Sequence, residues 1–152
     1  MKLEELGKLT LAYTHIKVVD YGADGQAYGE LQGSIEGPDL KGELKVTNLA
    51  PRRTDGAFAP TIRGLLTTPE GASIFVTLDG ISIHPPDAES SIRLGLVAVT
   101  FRSGEPQLKR WNDVLAVAEY RGEQMGDTWG VKGTIFRCVP ELPYPKGPTG
   151  GA

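Results

Sequence analysis

Short segments of alternating apolar and polar residues run along almost the whole chain, and turn residues separate them. Alternation with a period of two residues is typical of a β-strand that buries one of its faces. No long stretch has the period of a helix. The pattern predicts about eight strands, over residues 8–19, 27–35, 42–49, 59–67, 72–83, 91–101, 113–121 and 129–139.

The first predicted strand changes phase in its middle. Leu9, Leu11 and Tyr13 share one face, whereas Ile16 and Val18 have the opposite parity. One extra residue inserted in a strand shifts the phase in this way. We therefore predict a β-bulge or bend here, as occurs at the corner of a barrel.

Glycine and proline mark the turns between these segments. The 152 residues include 20 glycines, well above the usual share of about 7%, and 11 prolines. About eight antiparallel strands can close on themselves and leave an interior for side chains or one small ligand. We therefore expect an all-β fold, a closed antiparallel up-and-down β-barrel that forms a single domain over residues 1–139. Residues 140–152, rich in proline and glycine, are expected to form a flexible tail.

The charge distribution and the single cysteine limit the possible partners. The net charge is −3, and Arg52-Arg53 and Lys109-Arg110 are isolated basic pairs, so we expect no nucleic-acid partner. No stretch approaches the ~20 apolar residues of a membrane span, so no membrane partner is expected either. The first residues are too charged for a signal peptide, and Cys138 has no second cysteine to pair with. A cytoplasmic location is the resulting expectation.

Motifs for cofactors and metals are also missing from the sequence. His15, His84 and Cys138 lack the spacing of metal ligands, so we expect no metal. The sequence contains no phosphate-binding glycine motif and no nucleophile elbow. We therefore expect no cofactor and no serine hydrolase chemistry.

Several weak motifs occur together in a characteristic order. Residues 101–121 contain a Phe, a Gly-Glu-Pro turn and the pair Trp111-Asn112, in the run FRSGEPQLKRWNDVLAVAEYR. Upstream, residues 33–42 have the sequence GSIEGPDLKG, and an Asp-Gly turn, a strand arginine and a Glu-Gly turn follow at residues 55–56, 63 and 70–71. Together these motifs resemble the domain-of-unknown-function 3237 family, over roughly residues 10–139 of the 152.

The resemblance implies a closed β-barrel similar to the calycin, lipocalin-type and allene oxide cyclase barrels. It implies no particular reaction, because the family is largely uncharacterised. This chain also departs from the family pattern. Residues 49–53 replace a Gly-Gly-Ala-Asp-Trp block, and Thr61 replaces an acidic residue. Any chemistry carried by the missing residues is therefore lost or moved in this chain.

Three residues are candidates for catalysis. Arg63, if it points into the barrel, is a shielded cation that suits a carboxylate, enolate or phenolate; alternatively it faces solvent or pairs with Glu70 or Glu119. Glu119 has apolar neighbours on its own face and suits proton transfer, unless it lies outside the barrel. His15 is a candidate general base because a histidine pKa lies near neutrality.

Five residues are candidates for ligand binding. Trp111 at a barrel mouth would stack on a flat ligand and Asn112 would hold an oxygen; alternatively Trp111 plugs the barrel end and Asn112 caps a turn. Phe75, Phe101 and Tyr13 are candidates for the cavity wall, and the two phenylalanines are alternatively core or rim residues.

These features leave three functions open. The first is a cofactor-independent isomerase, cyclase or lyase that acts on a small apolar or aromatic molecule inside the barrel. The second is a non-catalytic carrier or sensor with the same cavity, and the third is a structural, oligomerising barrel filled by side chains. A cavity of hundreds of cubic ångströms favours the first two. Apolar residues of both parities at positions 95–99 predict a homodimer.

Overall fold

The computed structural model describes residues 1–148 and consists almost entirely of β-strands. The strands are β1 (Lys2–Asp20), β2 (Gly25–Glu36), β3 (Lys41–Asn48), β4 (Pro51–Arg52), β5 (Thr61–Thr67), β6 (Ser73–Ile83), β7 (Arg93–Arg102), β8 (Leu115–Met125) and β9 (Thr128–Val139). A 3-10 helix, Pro106–Asp113, connects β7 to β8. The last four residues of the predicted tail lie outside the described residues, and residues 140–148 have no regular secondary structure.

Eight of the strands form a closed antiparallel barrel. The order around the barrel is β1, β9, β8, β7, β6, β5, β3 and β2, and β2 pairs with β1 to close it, while the two-residue β4 pairs with β2 outside this circuit. This confirms the predicted fold class. Closure gives almost every strand two neighbours, and so satisfies backbone hydrogen bonds that an open edge would leave unpaired.

Alternation along each strand separates the core from the outer surface. In β7, for example, Val97, Val99 and Phe101 are buried, and Ala98 and Thr100 between them are exposed. Burial of one face of every strand fixes the register, because a shift by one residue would turn the apolar set outwards. The core therefore occupies the inside of the barrel, with most of it towards one end.

The predicted bulge in β1 is confirmed. Tyr13 pairs with Leu31 and His15 with Glu30, which leaves Thr14 as the extra residue. Tyr13 therefore faces inwards, His15 faces outwards, and Ile16 returns to the inner face.

The two ends of the barrel differ. The 3-10 helix closes one end, where the buried Trp111 packs on Phe101 with ring centroids 5.6 Å apart. A cavity opens at the other end, where β7 begins and β8 ends. Within residues 1–148, no helix has the length and apolar character needed to cross a membrane.

Candidate functional site

The open end of the barrel contains a cavity of about 280 Å³. Every barrel strand contributes to its wall, since the inner face of each strand continues past the packed core. Most of the lining is apolar. The apolar lining residues are Ile16, Val18, Ala27, Leu31, Ala50, Phe58, Pro60, Ile62, Trp129 and Val131, together with Gly122.

Polar side chains line the same cavity. Asn48 and Ser82, with exposed fractions of 8% and 7%, are the buried polar residues of the described part of the chain, and both belong to the lining. Tyr13, Tyr120, Ser90 and Arg93 complete the polar set. Buried polar groups are costly unless they are hydrogen-bonded, so their concentration around one cavity makes it the candidate functional site.

Asn48 holds Tyr13 in a fixed position. Its side-chain nitrogen donates to the Tyr13 hydroxyl oxygen at 3.2 Å, and its side-chain oxygen accepts from the backbone N–H of Thr61 at 3.1 Å. Both ends of the amide are therefore engaged, which sets its orientation. The Tyr13 hydroxyl accepts from Asn48, so its own proton is available to another acceptor.

The two cavity tyrosines remain neutral well above neutral pH. Burial raises the pKa of Tyr13, and the hydrogen bond from Asn48 opposes this increase. Burial also raises the pKa of Tyr120 to about 12; Ser82 and the charge of Arg93 act in the opposite direction, and Tyr13 adds to the rise. Both phenols are therefore hydrogen-bond donors at physiological pH, not bases.

Strand glycines make room for both tyrosine rings. A Cβ atom on Gly29 would lie 2.3 Å from Cε1 of Tyr13, and one on Gly95 would lie 2.0 Å from Cζ of Tyr120. Each ring therefore lies directly over a glycine of the neighbouring strand. A side chain at either glycine would displace the ring above it.

Arg63 does not face the cavity, so the inward alternative is wrong and the outward alternative is confirmed, although the partner of Arg63 is neither Glu70 nor Glu119. Its side chain is 42% exposed and forms a bidentate ion pair with Asp79, at 2.6 and 2.9 Å, on the outer face. The neighbouring residues Ile62 and Leu66 are buried inside, and the alternation of the strand places Arg63 on the opposite side.

Three other candidates also lie outside the cavity. Glu119, Phe75 and His15 are exposed, and the ring of His15 meets that of Tyr28 at 6.0 Å. Strand alternation in β6 and β8, and the bulge in β1, turn these side chains outwards. The structure therefore does not bring Arg63, Glu119 and His15 together at one site.

Trp111 and Phe101 are core residues at the closed end, and the alternative of a plug is confirmed for Trp111. Asn112 caps a turn, as the alternative predicted: its side chain accepts from the N–H of Ser103 at 2.7 Å and donates to the carbonyl of Ser103 at 3.0 Å. Of the eight candidates, Tyr13 alone lines the cavity.

Sequence reasoning missed Asn48, Ser82, Arg93 and Tyr120. Each has the same parity as buried residues of its own strand: Ser82 follows Ile74, Val76 and Leu78, and Arg93 precedes Val97, Val99 and Phe101. Their shared parity with the buried residues is the signal that identifies them, once it is known which face of each strand is buried.

No family model and no curated protein matches the chain, so the resemblance to the domain-of-unknown-function 3237 family is not confirmed. Solved structures do match it. A beta-barrel like protein from Acinetobacter baumannii AYE has a TM-score of 0.71 and 18% identity, covering 89% of this chain and 95% of that chain. A conserved protein of unknown function from Rhodopseudomonas palustris has a TM-score of 0.73 and 14% identity, covering 90% and 96%.

An enzyme from Penicillium herquei also matches, with a TM-score of 0.56 and 23% identity, covering 88% of this chain and 96% of that chain. Likenesses at these identities show the fold alone. The chain thus has the fold of these solved structures, which include a beta-barrel like protein, a protein of unknown function and an enzyme.

Proposed function

We propose that this barrel binds a small, mostly apolar or aromatic molecule that carries an oxygen function, within the cavity at its open end. The observation that carries the proposal is the convergence of both buried polar side chains and two tyrosines on one apolar cavity of about 280 Å³. Ligand sites are typically mostly apolar with a few fixed polar groups, and occupy volumes of about 300 Å³ or more. A barrel filled by side chains would leave no cavity of this size, so the cavity argues against the third alternative.

The tyrosines suit a ligand oxygen that becomes negatively charged. Two neutral phenol donors fixed in a largely apolar cavity would stabilise an enolate or a phenolate without reorganising. Tyr13 is prepared for this role because Asn48 occupies its acceptor side. Isomerisation, cyclisation or elimination next to a carbonyl group would gain from such donors, and the cavity would hold the reactive conformer away from water.

A carrier or sensor with the same cavity is the second candidate function. Among the described residues, the lining contains no Asp, Glu or His, and burial raises the pKa of both Tyr13 and Tyr120, so both phenols keep their protons at neutral pH. This set favours binding and electrostatic stabilisation over proton abstraction by the protein. The resemblance to the uncharacterised barrel family is compatible with either function.

The experiment is native mass spectrometry of gently purified protein, with matched variants in β1. Val18 and Val19 are adjacent and similarly exposed, but only Val18 lines the cavity. We expect the wild type and Val19→Trp to retain a small molecule and Val18→Trp to lose it. Equal retention by both variants would place the ligand elsewhere and refute the proposal.

The identity of the released molecule then separates the two functions. An enzyme incubated with a fresh supply of the identified compound returns a product of different structure or stereochemistry. A carrier returns the compound unchanged, however long the incubation lasts.

We also propose a homodimer through the outer face of β6 and β7. Ile81 pairs across the strands with Leu96, and Ile83 with Leu94, and all four side chains are exposed, Leu96 by 63%. The acidic Glu119 and the basic Arg121 and Lys132 lie in the same groove as these four apolar side chains. A two-fold axis would bring acid against base around an apolar centre, which makes a second copy the best-matched partner.

A further inference from the structure

Arg93 lies at the mouth of the cavity and is held there by the loop that precedes β5. It is the first residue of β7, is half-buried and contributes to the cavity lining. One guanidinium nitrogen donates to the carbonyl oxygen of Gly56 at 3.2 Å, and the guanidinium carbon lies 4.9 Å from the ring centre of Phe58. These two contacts fix the orientation of the guanidinium group.

The charge of Arg93 has no anionic partner within residues 1–148. Arg52, Arg53, Arg63 and Arg121 each form a salt bridge with a carboxylate, whereas none of the described salt bridges includes Arg93. Arg102, Arg110 and Arg137 also lack one, but of these four arginines Arg93 is the one that lines the cavity. The cavity lining contains no Asp or Glu either. Partial burial of a cation costs desolvation free energy, and nothing offsets that cost unless an anion binds to the cation.

The field of Arg93 reaches into the cavity, since its positive charge lowers the pKa of the Tyr120 phenol against the larger effect of burial. A guanidinium has five N–H donors, and the contact with Gly56 uses one of them. Enough donors remain to hold both oxygens of a carboxylate in the bidentate geometry that arginine favours.

We infer that the ligand is an amphipathic anion, whose carboxylate or comparable acidic group binds Arg93 at the mouth while its apolar body fills the cavity. This inference rests on the proposed function and specifies the ligand class. It also orients the ligand. The acidic group stays at the rim, and the far end of the molecule reaches Tyr13 and Asn48 on the opposite strands.

Calorimetric titration with 2-naphthoate and 2-naphthamide tests the inference, because the two probes have nearly the same shape and differ in charge. The wild type should bind the acid more tightly than the amide. Arg93→Gln should lower the affinity for 2-naphthoate roughly tenfold or more and leave that for 2-naphthamide unchanged, since a hydrogen bond to a charged group is worth more than one to a neutral group. Arg63→Gln is the matched control, because Arg63 lies on the outer face and should change neither affinity.

The possible results are distinguishable. Binding of 2-naphthamide to Arg93→Gln also shows that the variant is folded, and Arg93→Lys should recover part of the preference for the acid. Equal loss of 2-naphthoate affinity in both Gln variants, or none in Arg93→Gln, would overturn the inference and leave the cavity proposal standing. Failure of both probes to bind the wild type, with no retained molecule in native mass spectrometry, would overturn the two together.

Discussion

The contact between Gly95 and Tyr120 offers a direct test of how the cavity wall is built. A Cβ atom at Gly95 would lie 2.0, 2.3 and 2.5 Å from Cζ, Cε1 and Cε2 of Tyr120. Ordinary contacts at a Cβ are 3.4 Å or longer, so Gly95→Ala overlaps the ring by more than 1 Å. The backbone of Gly95 is not in the left-handed region, so the ring is the source of the expected strain.

The expected cost follows from overpacking. Inserting a methyl group into a filled site costs about 1–3 kcal/mol of unfolding free energy, because the displaced side chain leaves its preferred position. Tyr120 would have to swing away from Gly95 and into the cavity that it lines. We therefore expect Gly95→Ala to lower both the free energy of unfolding in urea and the affinity for a cavity ligand.

Two further variants isolate the cause. Gly104→Ala is the control, because no atom lies within 4 Å of its added Cβ, and it should change stability by less than about 0.5 kcal/mol. Tyr120→Ala removes the ring, so adding Gly95→Ala to that background should cost little, with a coupling energy of about 1 kcal/mol or more. If Gly95→Ala costs the same with and without the ring, the strain has another origin and the reasoning is wrong.

Two other predictions concern alkaline stability and assembly. Because the folded-state pKa of Tyr120, about 12, exceeds its ordinary value of 10.0, the related stability is complete below pH 10 and is lost as pH rises towards 12. Urea unfolding between pH 9 and 12 should show this loss, about 2 kcal/mol by pH 12, in the wild type but not in Tyr120→Phe; identical pH curves would contradict it. Light scattering of the wild type should give a molar mass of about twice the 16.3 kDa of one chain. Leu96→Asp should reduce the molar mass to that of one chain, whereas Leu3→Asp, at another exposed leucine, should leave the dimer intact. A monomeric wild type would exclude the proposed dimer.

The barrel could be predicted from the sequence because local signals determine most of it. Alternation marked the strands, Gly and Pro marked the turns, and the change of phase between Tyr13 and Ile16 marked the bulge. Each of these signals lies within about ten residues of sequence. Short turns make strands that follow one another in sequence pair with each other, so little more is needed to determine the order of strands in an antiparallel barrel.

The site could not be predicted in the same way, because the outer face of the barrel is also partly apolar. Glu119 has apolar neighbours of its own parity, but one of them, Leu115, is itself exposed on the outer face, as is Leu65, which has the parity of Arg63. Fully buried residues distinguish the inner face from the partly apolar outer face. Which residues become fully buried depends on contacts between distant strands. Asn48 and Tyr13, 35 residues apart, meet only after β1, β2 and β3 have paired.

The separation of the mouth from the closed end has a practical consequence. The first strand begins at the closed end, where Lys2 pairs with Val139 and the amino group of Met1 lies 3.1 Å from Glu141. A biosensor surface coupled to the start of β1 would therefore hold the molecule by the closed end of the barrel. Every immobilised copy would present its entrance to the flowing solution, which makes this chain well suited to screening compound collections.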